Sequence, residues 1–199
     1  MLLEHSGKRP QIHHSAYVAP TATVCGDVKI GENSRILFGT ALVAEGGPVE
    51  VGSECVVMEN AVVRGTRRHP VRIGDHVLVG PHAYLTGCVV EDNAFLATGS
   101  TIFNAARVGR ASEVRIGALV HLRTVLPPES VVPIGWVAVG DPVEILPPEE
   151  HERIWEIQHQ LDFPATVFGM EREPAEEMMP KLMGRYSAAL GRHREDQAL

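Results

Sequence analysis

The sequence predicts a parallel β-helix, in which short strands wind into a triangular prism. Three observations carry this. First, an aliphatic residue recurs every six positions, at Ile12, Val18, Val24, Ile30, Ile36 and Leu42, then Val51, Val57 and Val63, then Ile73, Val79 and Leu85. After one unit that is a residue short, Val90, Leu96, Ile102, Val108, Val114, Val120, Leu126 and Val132 keep step. Second, a small residue sits four places after most openers, as at Ala22, Ser34, Thr40, Cys55, Ala61, Ala83, Ala94, Ser100, Ala106, Ser112, Ala118 and Thr124. Third, the run continues to about Val137 with only two interruptions, Glu45 to Glu50 and Thr66 to Arg72. A period of six does not fit the 3.6-residue turn of a helix, and a run this long is no isolated strand. Each unit is read as one strand and one corner, and three units make a coil. The opener fills the core, and the small residue sits where the corner turns tightly. The openers supply about seven coils.

In chain order, residues 1–11 read as a polar, extended lead-in, residues 12–146 as the β-helix, and residues 147–199 as a helical appendage. Two loops leave the prism, Ala44 to Glu50 and Gly65 to Arg72, and loops of this kind collect on one side of a solenoid and line its binding surface. The second loop holds the densest basic cluster of the chain, Arg67, Arg68, His69 and Arg72. It reads as an anion-contacting or intersubunit loop, or as a solvated counterweight to the acidic tail. Val139-Gly140-Asp141-Pro142 turns the chain out of the prism. Pro147-Pro148 followed by Glu149-Glu150 marks a helix start, and Ile154, Ile157 and Leu161 give that helix an apolar stripe that Pro164 ends. Pro174 and Pro180 punctuate a second helical region whose apolar face is Leu182, Met183, Tyr186, Ala189 and Leu190. Arg192 to Leu199 is polar and expected to fray.

Charge and composition narrow the function classes. The net charge is −7, of which residues 147–199 carry −5 and the prism −2, and aromatic residues are 5%. Without a basic stripe, nucleic-acid binding is not expected. No apolar run spans a membrane, and the first ten residues lack the apolar core of a signal peptide. Three cysteines, Cys25, Cys55 and Cys88, form no CxxC pair. They read as free thiols in a reducing compartment, the cytoplasm.

Residues 71–88, Val-Arg-Ile-Gly-Asp-His-Val-Leu-Val-Gly-Pro-His-Ala-Tyr-Leu-Thr-Gly-Cys, resemble the central segment of the gamma-class carbonic anhydrases. The opening at Tyr17 to Ala22, the Gly26-Asp27-Val28 turn and the Val139 to Pro142 exit are similar to that family too, so the likeness covers about residues 12–146. The resemblance implies a left-handed parallel β-helix, a homotrimer and a C-terminal helix packed along the prism. It also implies a zinc or iron site at the subunit interface held by three histidines. Carried over, those positions fall on Arg64, Pro81 and Thr86, none of them a histidine. The family's acidic and amide positions near the metal fall on Met58, Glu59, Val43 and Glu45. No metal is therefore expected at that site, since a guanidinium and a proline donate no lone pair and threonine is a poor zinc ligand. The expectation is a binding or assembly module without cofactor. Arg64 would stand at a subunit seam, where it replaces the metal's charge by pairing with Glu45 or Glu59 or by holding a small anion beside Thr86, Arg67 and Arg68.

The alternative rests on a second resemblance. The same repeat builds acyltransferases that use acyl-CoA along a subunit interface, commonly with a histidine as general base. His82 and His69 are the candidates for that role. A corner position for His82, bonded to a neighbouring coil, is the plainer reading. His121 lies on the face of Thr86, two coils up, and His76 in the register of His82 on a neighbouring face.

Overall fold

The computed structural model describes residues 1–199. It is a β-solenoid of about eight turns with three flat faces, one sheet to each. The first face stacks eight parallel strands: Leu2–Glu4, Thr23–Cys25, Ala41–Glu45, Val62–Thr66, Tyr84–Thr86, Thr101–Ile102, Leu119–Val120 and Val137–Val139. The second face runs from Gln11–Ile12 to Val125–Leu126, and the third from Tyr17–Val18 to Val131–Val132, with seven strands each. The extra turn comes from the residues read as a lead-in. Leu2–Glu4 pairs in parallel with Thr23–Cys25 and forms the first rung of the first face.

The openers do what their spacing requires. Eighteen of the twenty are buried, while Ile12 and Val18, in the first turn, are half-buried because only one neighbouring turn covers them. The small residues four places on are almost all buried, and their hydroxyls tie one turn to the next. Ser34 Oγ donates to the Gly52 carbonyl at 2.7 Å and accepts from the Cys55 amide at 3.0 Å. Thr40 Oγ1 donates to the Met58 carbonyl at 2.9 Å. A larger residue here would displace a backbone hydrogen-bond partner.

The third residue after most openers takes the left-handed backbone that turns the corner. Asn33, Glu54, Asn60, His76, His82, Asn93, Arg123 and Glu129 all have φ between 54° and 62°. Glycine or asparagine suits this conformation, and other side chains enter it at a cost. The side chains at these positions stand on the edges of the prism. Gly31, Gly52 and Gly74 stack at one edge, where a Cβ would press against the backbone of the next turn.

Glu144–Leu146 turns back antiparallel to Val137–Val139 and closes one end of the first face. Helix α1, His151–Gln160, rests against Val137–Val139 with Ile154 and Ile157 half-buried. A single π-type turn, Pro164–Phe168, ends at Gly169 in left-handed backbone. Helix α2, Ala175–Leu190, then runs back along the first face. Pro180 does not interrupt it. The proline leaves the Glu176 carbonyl without a helical partner, and Glu176 is exposed to solvent that can supply one. Leu182 is the buried residue of α2, Tyr186 and Ala189 are half-buried beside it, and Met183 stays 45% exposed.

The tail corrects the expectation of fraying. Gly191–Glu195 forms a 3-10 turn, and Gln197–Ala198 pairs antiparallel with Leu3 and Glu4. The Leu199 amide donates to the Leu2 carbonyl at 3.0 Å. The polar residues that suggested fraying are the ones that make the contacts, as described below.

Candidate functional site: an arginine-lined cavity and the tail clasp

A cavity of about 830 Å³ lies between the first face and the returning C-terminal segment. From the prism come Arg64 and Thr86, whose strands pair in register, Tyr84 from the strand of Thr86, and Phe103 and Asn104 just after the next rung. The loop after Val62–Thr66 adds Arg67 and Arg68. Phe168, Met170, Leu182, Arg185, Tyr186 and Arg192 close the other side. The aromatic rings form two edge-on sets, Tyr84 with Phe103 at 6.5 Å and Phe168 with Tyr186 at 6.0 Å. The cavity thus combines five arginines with an aromatic lining, the composition of a site for a ligand with an anionic end and an apolar body.

Two features fix its polarity. Arg64 Nη2 donates to Glu45 Oε2 at 3.3 Å, and the guanidinium carbon lies 6.0 Å from the centre of the Tyr186 ring. Asn104 is 3% exposed, and its Nδ2 has no acceptor in the protein. A buried amide donor with no partner costs about 1–3 kcal/mol, so a ligand oxygen in the cavity would relieve it.

Glu45 also begins a chain of hydrogen bonds into the tail. Its Oε2 accepts from His193 Nε2 at 2.6 Å. His193 Nδ1 meets Asp196 Oδ2 at 2.7 Å, and Asp196 Oδ1 meets His5 Nδ1 at 2.6 Å. The Cys25 thiol donates to Asp196 Oδ2 at 3.5 Å, and the rings of His5 and His193 stack at 4.4 Å. Burial works against each charge, but partners outweigh it. Hydrogen bonds from His193 and Arg64 hold the Glu45 carboxyl below its usual range, and His193 and His5 do the same for Asp196. His193, between two carboxylates, is raised despite its burial.

The residues singled out from the sequence separate into two groups. Arg64, Thr86, Arg67 and Arg68 line the cavity. Arg68 also lies over Gly169, where any side chain would collide with its guanidinium. Glu59, His82 and His69 do not line it. Glu59 pairs with no cation, and its carbonyl accepts from the His82 amide at 3.0 Å. His82 stands exposed on a prism edge with φ of 58°. The His69 ring is directed at the Thr166 carbonyl, 3.4 Å away. Arg64 faces the C-terminal segment of its own chain, with Tyr186 beside its guanidinium. His121 keeps the face expected for it, buried against Phe103.

Sequence reading missed Asn104, Arg185, Tyr186, Arg192 and the whole clasp. His5 and Asp196 are 191 residues apart, and no periodicity links them. The corner rule could have placed His82, because the third residue after most openers stands on an edge.

The comparisons with known proteins agree with the fold. The family described as the hexapeptide repeat of succinyl-transferase matches residues 70–104. Gamma carbonic anhydrase 1, mitochondrial, of Arabidopsis thaliana is 37% identical over 145 residues, 70% of this chain and 50% of that protein. The chain carries a hexapeptide repeat and is similar to the gamma carbonic anhydrases. It spans about half the length of the first curated relatives it matches. The carboxysome assembly protein CcmM of Nostoc sp. is 34% identical over 176 residues, 81% of this chain and 30% of that one. Among solved structures, a putative acetyltransferase of Bacillus cereus superposes with a TM-score of 0.63 at 28% identity, covering 79% of this chain and 90% of that one. No helix of the chain is long and apolar enough to cross a membrane.

The metal of the gamma carbonic anhydrases can be tested against the residues present. Arg64 brings a cation already bonded to Glu45. Pro81 has no donor atom, and Thr86 offers a hydroxyl, a poor zinc ligand. This donor set does not fit the metal.

Proposed function

We propose that the chain is a gamma-carbonic-anhydrase-like module that binds a small anionic ligand instead of hydrating carbon dioxide. The observation that carries this is the orphaned Asn104 amide in a cavity where Arg64 stands at the carried-over metal position. A guanidinium stays charged when half-buried and presents a rigid fork of donors to a carboxylate or phosphate. The Glu45 pairing holds that fork in place before a ligand arrives. We further propose a homotrimer formed through the third face and its edge, where Tyr17, Phe95, Val131, Phe38, Ile116 and Ile134 are 42–64% exposed. Closed symmetry lets such a flank be covered by copies of itself. A reducing compartment, the cytoplasm, suits the three buried free thiols.

A second reading is acyl transfer from acyl-CoA, favoured by the likeness to the Bacillus cereus structure. Arg67 and Arg68 would hold the phosphates at the cavity mouth. The reading lacks a base, since His82 is on an edge and His69 is turned to Thr166.

A thermal-shift screen with bicarbonate, phosphate, short carboxylates and coenzyme A derivatives tests both. Stabilisation by anions, lost in Asn104→Ala, with carbon dioxide hydration at the buffer rate, supports the first. Turnover of acetyl-CoA with an amine or alcohol acceptor establishes the second. No stabilisation by any anion rejects the first.

A further inference from the structure

We infer that His5, Cys25, His193 and Asp196 form a binding site for a borderline-soft divalent cation of the zinc type, separate from the carried-over metal position. One donor atom from each lies within 4.8 Å of all the others. Two imidazoles, a thiol and a carboxylate are the donor types that zinc takes in four-coordinate sites, and with bonds of about 2.0–2.3 Å its ligand atoms stand roughly 3.3–3.7 Å apart. His5 stands 2.6 Å from Asp196 Oδ1, His193 and Cys25 stand 2.7 and 3.5 Å from Oδ2, and the donor atoms all lie within 4.8 Å of one another, so shifts of about an ångström seat the ion.

Three features distinguish this cluster from an ordinary surface group. Three of its four members are nearly dry, with His5 3%, Cys25 2% and the Asp196 side chain 10% exposed, and His193 at 32% closes the outer side. Its histidine is oriented from behind, because His193 presents Nδ1 to the cluster and bonds Glu45 through Nε2, and Glu45 is held by Arg64. A carboxylate on the far nitrogen is the arrangement that fixes the tautomer and direction of metal-bound histidines. The ligands also come from three separate segments, the first rung, the second rung and the tail, so the ion would join the two ends of the chain.

The Cys25 thiol donates its hydrogen to Asp196, so it carries its proton while no cation is bound. On binding, the sulfur–metal bond forms as the S–H proton leaves to solvent, and affinity therefore rises with pH. None of the four donors lines the cavity beside Asn104, so metal binding and anion binding are read out separately.

The test uses the full chain without an affinity tag, stripped with chelator and titrated with cobalt(II), then zinc. The expected result is one cobalt per chain with a near-ultraviolet sulfur-to-cobalt charge-transfer band, displaced by zinc. Zinc should also slow exchange of the Leu199 amide, which bonds Leu2. Cys25→Ser should lose the band while keeping the far-ultraviolet circular dichroism of the parent. Absence of the band in the folded parent, or its persistence in Cys25→Ser through Cys55 or Cys88, would overturn the inference. Should Cys25→Ser fail to fold, His193→Gln decides, because that side chain is 32% exposed and outside the prism. A band of undiminished affinity in His193→Gln would equally overturn it.

Discussion

Arg64 has a hydrogen-bonded carboxylate on one side and a ring on the other, and its side chain is 28% exposed. Cutting it to alanine leaves Glu45, 8% exposed, with His193 as its remaining partner. The expected loss is about 2–3 kcal/mol, the worth of a hydrogen bond to a charged group plus part of the cost of a stranded carboxylate. Because both contacts lie within one chain, the loss should be equal at two protein concentrations tenfold apart in chemical denaturation. His121 makes a different residue-scale prediction. Burial holds its ring below the usual histidine value, and Nδ1 has no partner. A depressed folded value means that the unfolded chain takes up the proton more readily. The stability this group contributes is full above its ordinary value of 6.5 and falls as pH drops below it. Urea midpoints measured between pH 7.5 and 5.5 should fall more steeply in the parent than in His121→Gln. At this scale the sequence was legible where a rule of spacing applies, as for the openers and for Arg64 facing Thr86. It was opaque for Asn104 and the clasp, whose meaning depends on atoms brought together by the fold.

At the scale of elements, the strands were readable because each repeats one physical problem, a core residue followed by a tight corner. The helices were readable in position but less so in face. Met183 belongs to the apolar stripe by spacing, yet α2 packs on a flat sheet that covers only its Leu182 side. The tail strand was not readable, since two residues paired with the first rung carry no periodicity. Its role leads to a prediction. Gln197–Ala198 covers the free edge of Leu2–Glu4, and exposed strand edges recruit other strands. Deleting residues 191–199 should leave the far-ultraviolet circular dichroism of the prism intact but produce concentration-dependent scattering at micromolar protein. The prism core is equally testable. Leu85 is fully buried between rungs on both sides, and Leu85→Ala should cost about 2–5 kcal/mol in denaturant unfolding.

At the scale of the whole molecule, the three faces divide the work. The first is covered by its own C-terminal segment, and the third presents Tyr17, Phe95 and Val131. For a homotrimer assembled through the third face, light scattering should give about three times 21.6 kDa for the parent. Phe95→Glu should shift the particle toward the monomer mass while leaving the cavity and its anion response unchanged.

The meeting of His5 with Asp196 also bears on how the chain reaches its native state. Within the prism, hydrogen-bonded partners on successive turns are typically 18–22 residues apart, as for Ser34 with Gly52 and Ser53 with Asp75. Contacts so near in sequence form early and propagate from turn to turn. The clasp spans 191 residues and can close only after both its anchoring rungs exist. Folding should therefore show a fast phase that builds the solenoid and a separate late phase that docks the tail. The reverse of the late phase is a partial opening that exposes the cavity without unwinding a single rung.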